Sequence, residues 1–126
     1  MGKDYDPRDE KQLPIVTRWL DLTAWLLETT GRMPKRWRHS LVHRVEEEAL
    51  RVLLLLTEAA YRRRKSELLR ETNLSLSRLR ILLELAHRLT ALSPGAYERA
   101  ALAIDEVGRM VGGWLKETLE REKQGR

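Results

Sequence analysis

Ala49-Leu50-Arg51-Val52-Leu53-Leu54-Leu55-Leu56-Thr57-Glu58-Ala59-Ala60 is interrupted by polar side chains only at Arg51, Thr57 and Glu58. Its unbroken apolar run, residues 52–56, falls far short of the roughly 20 residues a membrane span needs. Nothing in it alternates with period two, so it does not read as a strand. It reads instead as the middle of a helix that neighbours must cover on most sides. The helix is expected to run from Arg36 to about Arg70, with Leu41, Val42, Val45, Ala49, Val52, Leu56 and Ala59 on its inner stripe. One bundle covers one broad face. Leu50 and Leu54, together with Leu22 and Trp25 from the preceding segment, are left over and predict contact with a second copy of the chain.

Helical periodicity continues on both sides. A first helix opens at Leu13-Pro14, where proline's missing N–H costs nothing, carries Val16, Trp19, Leu20, Thr23, Leu26 and Leu27, and stops at Gly31. Glu71-Thr72-Asn73 breaks the pattern, so a third helix is expected from Asn73 or Ser75 to about Leu92, with Leu79, Leu82, Leu83, Ala86 and Leu89 as its stripe. Ser93-Pro94 starts a fourth, serine as N-cap and proline at the first helical position. Gly108, Gly112 and Gly113 lie inside it beside Trp114. Each glycine costs about 1 kcal/mol against alanine in a helix, which predicts close backbone approach by a neighbour. Short loops favour an all-α, up-down-up-down antiparallel four-helix bundle.

A length of 126 residues suits one domain, and 42% hydrophobic residues suffice for a core. We divide the chain into a charged, flexible segment 1–12, a bundle 13–116 and a charged tail 117–126. The first segment has no apolar stretch, so no secretion signal is expected. Cysteine is absent, which excludes disulfides, thiol catalysis and thiolate metal sites and fits a reducing cytoplasm. A soluble cytoplasmic protein, away from membranes, is the expectation. Net charge is +5, and residues 13–116 hold 18 basic against 12 acidic groups. A basic surplus on the folded part points to an acidic partner. Eighteen of the 24 basic residues are arginine, whose planar fork suits phosphate and carboxylate.

The basic residues cluster. Arg32, Lys35, Arg36, Arg38 and Arg44 come without an intervening acid, and Arg62-Arg63-Arg64-Lys65 closes the second helix with Arg70 beyond. Four consecutive positions form a ring at a helix end. Such a ring complements the helix dipole, but the dipole rarely needs four charges, so partner binding is the better reading. Arg78, Arg80 and Arg88 add charge on the third helix. Trp37, between Arg36 and Arg38, fits two roles, stacking on a base or stapling the helix entrance to the core.

Chemistry is thinly represented. His39 and His43 share a helix face at metal-ligand spacing, with Glu46 or Glu47 as a third ligand, but Arg38 and Arg44 oppose a cation there. Arg38 and His43 match the R-x-x-x-x-H spacing of HEPN-type helical ribonucleases, a pattern frequent by chance in so arginine-rich a chain. No triad or acid–base pair is apparent, so neither catalysis nor a cofactor or metal is expected.

Several stretches carry a resemblance: Met33-Pro34-Lys35 with the basic helix after it, Leu79-Arg80-Ile81-Leu82-Leu83, Leu85-Ala86-His87-Arg88-Leu89, Leu92-Ser93-Pro94-Gly95-Ala96-Tyr97, Glu106-Val107-Gly108-Arg109-Met110 and Gly112-Gly113-Trp114-Leu115. Across roughly 13–116 the chain resembles the accessory variability determinant proteins of diversity-generating retroelements, within a four-helix family that includes the 23S rRNA intervening-sequence proteins. The resemblance implies a homopentameric barrel whose basic surface binds the retroelement's reverse transcriptase and RNA or DNA, supporting mutagenic reverse transcription and retrohoming without catalysis. The ribosome-associated branch and the HEPN-like ribonuclease are the alternatives. Two positions depart from the family pattern: Met33 stands where an aromatic is expected, and Glu84 where a basic residue is expected.

Overall fold

The computed structural model describes residues 5–125. Four helices dominate, α1 (Leu13–Thr30), α2 (His43–Ala60), α3 (Ser66–Arg88) and α4 (Pro94–Gln124), with no strand among the described residues. A 3-10 segment, Pro7–Gln12, precedes α1. A 3-10 turn, Lys35–Trp37, and a π-helical turn, Arg38–Val42, lead into α2.

Cross-helix contacts fix the topology. Thr30 and Trp19 of α1 bond to Glu46 and the Ala49 carbonyl of α2 in reversed order. Arg51 reaches Glu71 and Arg78 reaches Glu48, so α2 and α3 are antiparallel. Arg80–Asp105 and the stacked His87 and Tyr97 rings do the same for α3 and α4. Arg18–Glu106 and the Arg99 guanidinium over Trp25 close the ring between α4 and α1. The result is an up-down-up-down four-helix bundle. Its core joins Trp19 and Leu26 to Val45, Val52, Leu56, Leu69, Leu79, Leu83, Val107 and Val111. Ala49 is small enough for the Trp19 indole to donate to its carbonyl at 2.9 Å, which draws α1 close to α2. No helix is long and apolar enough to cross a membrane among the described residues.

The expected starts at Leu13-Pro14 and Ser93-Pro94 hold. Ser93 Oγ accepts from the Ala96 N–H at 3.1 Å, as an N-cap should. The α3–α4 reversal turns through Thr90, whose φ of 57° is the one left-handed non-glycine value among the described residues. The break between the second and third helices lies elsewhere than expected. The chain turns at residues 61–65, and Glu71-Thr72-Asn73 sits within α3. Thr72 hides its hydroxyl by donating to the Leu68 carbonyl at 2.7 Å, so the 69, 72, 76, 79, 83 stripe runs on unbroken. At the end of the turn Lys65 points inward to the buried Asp9 carboxylate.

The domain ends also depart from expectation. Segment 5–12 is folded, and Asp6 and Asp9 are buried. The tail from Glu117 continues α4 to Gln124, with Thr118 buried. Leu22 is in the core and Trp25 half-buried, so neither is left over. Leu50 (42% exposed) and Leu54 (68%) are, joined by Ile81 (65%) and Leu102 (62%). Met33, where an aromatic was expected, is buried in the core.

The glycines of α4 do not pack against a neighbour within the protomer. A Cβ built at Gly108, Gly112 or Gly113 would meet nothing within 4 Å. Within one chain they therefore only lose helix propensity. Gly112→Ala and Gly113→Ala should each raise the unfolding free energy of the isolated protomer by about 0.5–1 kcal/mol, read from urea denaturation. A loss of stability would show that the space is needed.

Candidate partner-binding surface

The bundle has two ends, and charge is organised differently at each. At the α2–α3 end, the Asp9 carboxylate accepts from Lys65 Nζ, from the Trp114 indole N–H at 3.1 Å and from Arg121 at 2.8 Å. Asp9, Lys65 and Trp114 are each only 1% exposed. Lys65 also lies 5.3 Å above the Trp114 ring. Arg121 reaches Glu117 at 2.9 Å and Asp6 at 3.5 Å, and Lys11 reaches Glu117 at 2.7 Å.

These contacts shift the titrating groups. Hydrogen bonds from Arg8 hold the Asp6 carboxyl well below the usual carboxylate range, against the opposing effect of burial. Lys11, then Arg121, lower that of Glu117. Burial disfavours the Arg121 guanidinium charge, but the bonds to Asp9 and Glu117 outweigh it and raise its pKa.

The proposed ring of four cations is thus broken up. Lys65 is internal and is not on the binding surface where the sequence put it. Arg62 is paired with Glu58 at 2.8 Å, Arg70 with Glu67 at 2.7 Å, and Arg63 also has a partner. Arg64 remains exposed above a cleft lined by Ser66, Glu67, Glu122 and Gly125.

On α3 the other predicted cations are paired too. Arg78 reaches Glu48 at 3.6 Å, Arg80 reaches Asp105, and Arg88 reaches Glu84 at 3.0 Å. Glu84, the second departure from the family pattern, thereby offsets Arg88.

The opposite end carries the α1–α2 connection. Arg32, Lys35, Arg36 and Arg38 are all exposed there, and none has a carboxylate partner within 4.0 Å among the described residues. Arg36 lies 5.0 Å over the Trp37 ring, and Trp37 packs on the core. Trp37 therefore serves as the staple, with an arginine on its outer face. The π turn Arg38–Val42, closed by the His43 N–H to the Arg38 carbonyl, widens the backbone and sets Arg38, His39 and Ser40 on the surface. The turn falls ahead of most of the α2 stripe, so the periodicity of residues 45–59 carries no sign of it.

His43 is exposed and lies 3.6 Å from Glu47, also within reach of Arg44 at 3.8 Å. Among the described residues no three His, Asp or Glu side chains converge as a metal site would require. Open grooves run along the helices, of about 580 Å³ between α3 and α4 and about 540 Å³ between α2 and α3. Ile81 stands on the ridge between them.

The chain is thus a small all-helical bundle with exposed leucines along its sides and, among the described residues, cations without a carboxylate partner at one end. The family is defined by sequence: a profile described as bAvd-like matches residues 13–118, and the chain belongs to that family. bAvd is the accessory variability determinant of diversity-generating retroelements. A comparison with curated proteins gives no match.

The depressed Asp6 and Glu117 pKa values give a signed pH dependence. A carboxylate with a lowered folded pKa adds stability that is present above its unfolded value, near 4, and lost as pH falls through the folded value. Urea midpoints should therefore fall as pH drops below about 4. Asp6→Asn should make that fall shallower while lowering stability at neutral pH.

Proposed function

We propose that this protein is a non-catalytic accessory factor of a diversity-generating retroelement, binding its reverse transcriptase and nucleic acid through the α1–α2 end. One observation carries the reading: among the described residues Arg32, Lys35, Arg36 and Arg38 project without a carboxylate partner, whereas most other predicted cations are neutralised within the chain. Unpaired guanidinium groups engage phosphate or carboxylate without first breaking an intrachain pair. Family membership supplies the retroelement context.

Homo-oligomerisation, as a pentamer, belongs to the same proposal. Leu50, Leu54 and Ile81 leave apolar surface on the α2 and α3 sides that a second copy would cover. Light scattering should return a pentamer of 14.8 kDa chains at micromolar concentration, and a monomer mass would overturn the assembly.

The contact surface is tested by charge reversal. Arg36→Glu with Arg38→Glu should abolish capture of the cognate reverse transcriptase and of RNA while helicity is retained, since like-charge apposition costs several kcal/mol. Arg63→Glu with Arg64→Glu should weaken binding much less. For RNA, Arg36→Gln with Arg38→Gln should flatten the slope of log affinity against log salt by about 2, as expected for two lost phosphate contacts. Equal effects of the two reversals would relocate the surface. RNA cleavage lost in both Arg38→Ala and His43→Ala would replace the proposal with a ribonuclease.

A further inference from the structure

The α2–α3 end holds a feature that partner binding at the other end does not use. Three donors, Lys65 Nζ, the Trp114 indole N–H and the Arg121 guanidinium, converge on the carboxylate of Asp9. Two positive charges and a neutral N–H around one oxyanion make an anion site, here filled by a side chain of the same chain. The filling segment is held in an unusual way. Of residues 5–12, only Asp6 and Asp9 are buried, and no side chain of the segment belongs to the hydrophobic core. Its remaining ties are polar or peripheral: Asp6 to Arg121, Lys11 and Gln12 to Glu117, and Tyr5 beside Tyr61 at 6.2 Å. The segment can therefore lift without opening the apolar core. Lifting it would withdraw Asp6, Asp9 and Glu10, and would leave Lys65 and Arg121 beside the basic turn at residues 62–64.

We propose that residues 5–12 form an autoinhibitory plug, with Asp9 occupying a site that accepts a phosphate-class oxyanion when the plug is displaced. The choice of phosphate over a halide follows from the donors, which surround more than one acceptor oxygen: Oδ1 takes Trp114 and Arg121, and Oδ2 takes Lys65. The proposal is independent of the reverse transcriptase reading, since it concerns the opposite end and a different set of residues.

The test uses the full chain and Asp9→Asn, followed through the Trp114 indole N–H resonance (assigned with Trp114→Phe) and through the melting temperature. Inorganic phosphate should shift that resonance saturably in Asp9→Asn and raise its melting temperature above a sodium chloride control of equal ionic strength. The wild type should need about ten-fold more phosphate or greater, because its site is already filled in most molecules. Saturation by inorganic phosphate identifies a small oxyanion site. Saturation only by a short oligoribonucleotide identifies a backbone phosphate, and either supports the plug. Should Asp9→Asn fail to fold in chloride, its refolding yield in phosphate takes the place of the shift, and no rescue overturns the proposal. Lys65→Met with Asp9→Ala removes both charges and should not respond to phosphate. A response in that variant equal to Asp9→Asn, or equal effects of chloride and phosphate, would also overturn it.

Discussion

The burial of Lys65 against Asp9 is the constraint from which the rest of the chain takes its shape. A buried ammonium needs a carboxylate beside it, and among the described residues Asp9 of the N-terminal segment supplies the one that reaches Lys65, itself 1% exposed. The turn at residues 61–65 carries Lys65 inward, and residues 6–9 lie over that end of the bundle and meet it. Arg121 brings a second cation to Asp9, balanced by Asp6 and Glu117, and its place requires α4 to extend well beyond Trp114. Removing one member of such a buried pair commonly costs about 3–5 kcal/mol, whereas replacing the whole pair with apolar groups is often neutral. The ion pair thus specifies where the chain turns more than it adds stability.

Charge is divided between the two ends by a separate cause. A net surplus on residues 13–116 is a property of composition, and composition is silent on which cations are already engaged. Glu58 with Arg62, Glu67 with Arg70 and Glu84 with Arg88 are pairs three or four residues apart, set by helix geometry once the helix boundaries are known. Exposed pairs of this kind are worth about 0–1 kcal/mol each. They weaken the field of the surface they occupy without anchoring it. The connection at residues 31–38 contains no acid at all, so no local pairing can quench it.

Much of the fold was legible in the sequence because its signals are local. Pro14 and Ser93-Pro94 mark helix starts through backbone chemistry that needs no neighbour. Gly31 falls at the end of α1 for a similar reason, although its φ of −61° shows an ordinary right-handed residue there. The break between α2 and α3 was misplaced because Glu71-Thr72-Asn73 looks like a loop in composition, while the true turn is imposed by a contact with a residue 56 positions away. The candidate site suffered in the same way. Arg62, Arg63, Arg64 and Lys65 are the densest basic run in the chain, yet the partner that removes Lys65 from the surface lies in a segment whose composition reads as flexible.

The glycines of α4 bring the same reasoning to the outside of the molecule. Within one chain, Gly108, Gly112 and Gly113 lower helix propensity and meet no neighbour that would need the space. Gly108 lines the groove between α3 and α4, which Ile81 borders and over which Arg109 is exposed. A groove opened at Gly108 by the missing side chain, next to the exposed Ile81, leaves the α4 backbone free for close approach. Contact made there would offset the helix propensity lost at Gly108. The cost of Gly108 in helix propensity and the exposure of Ile81 therefore meet at one groove, where an approach to the α4 backbone is sterically free.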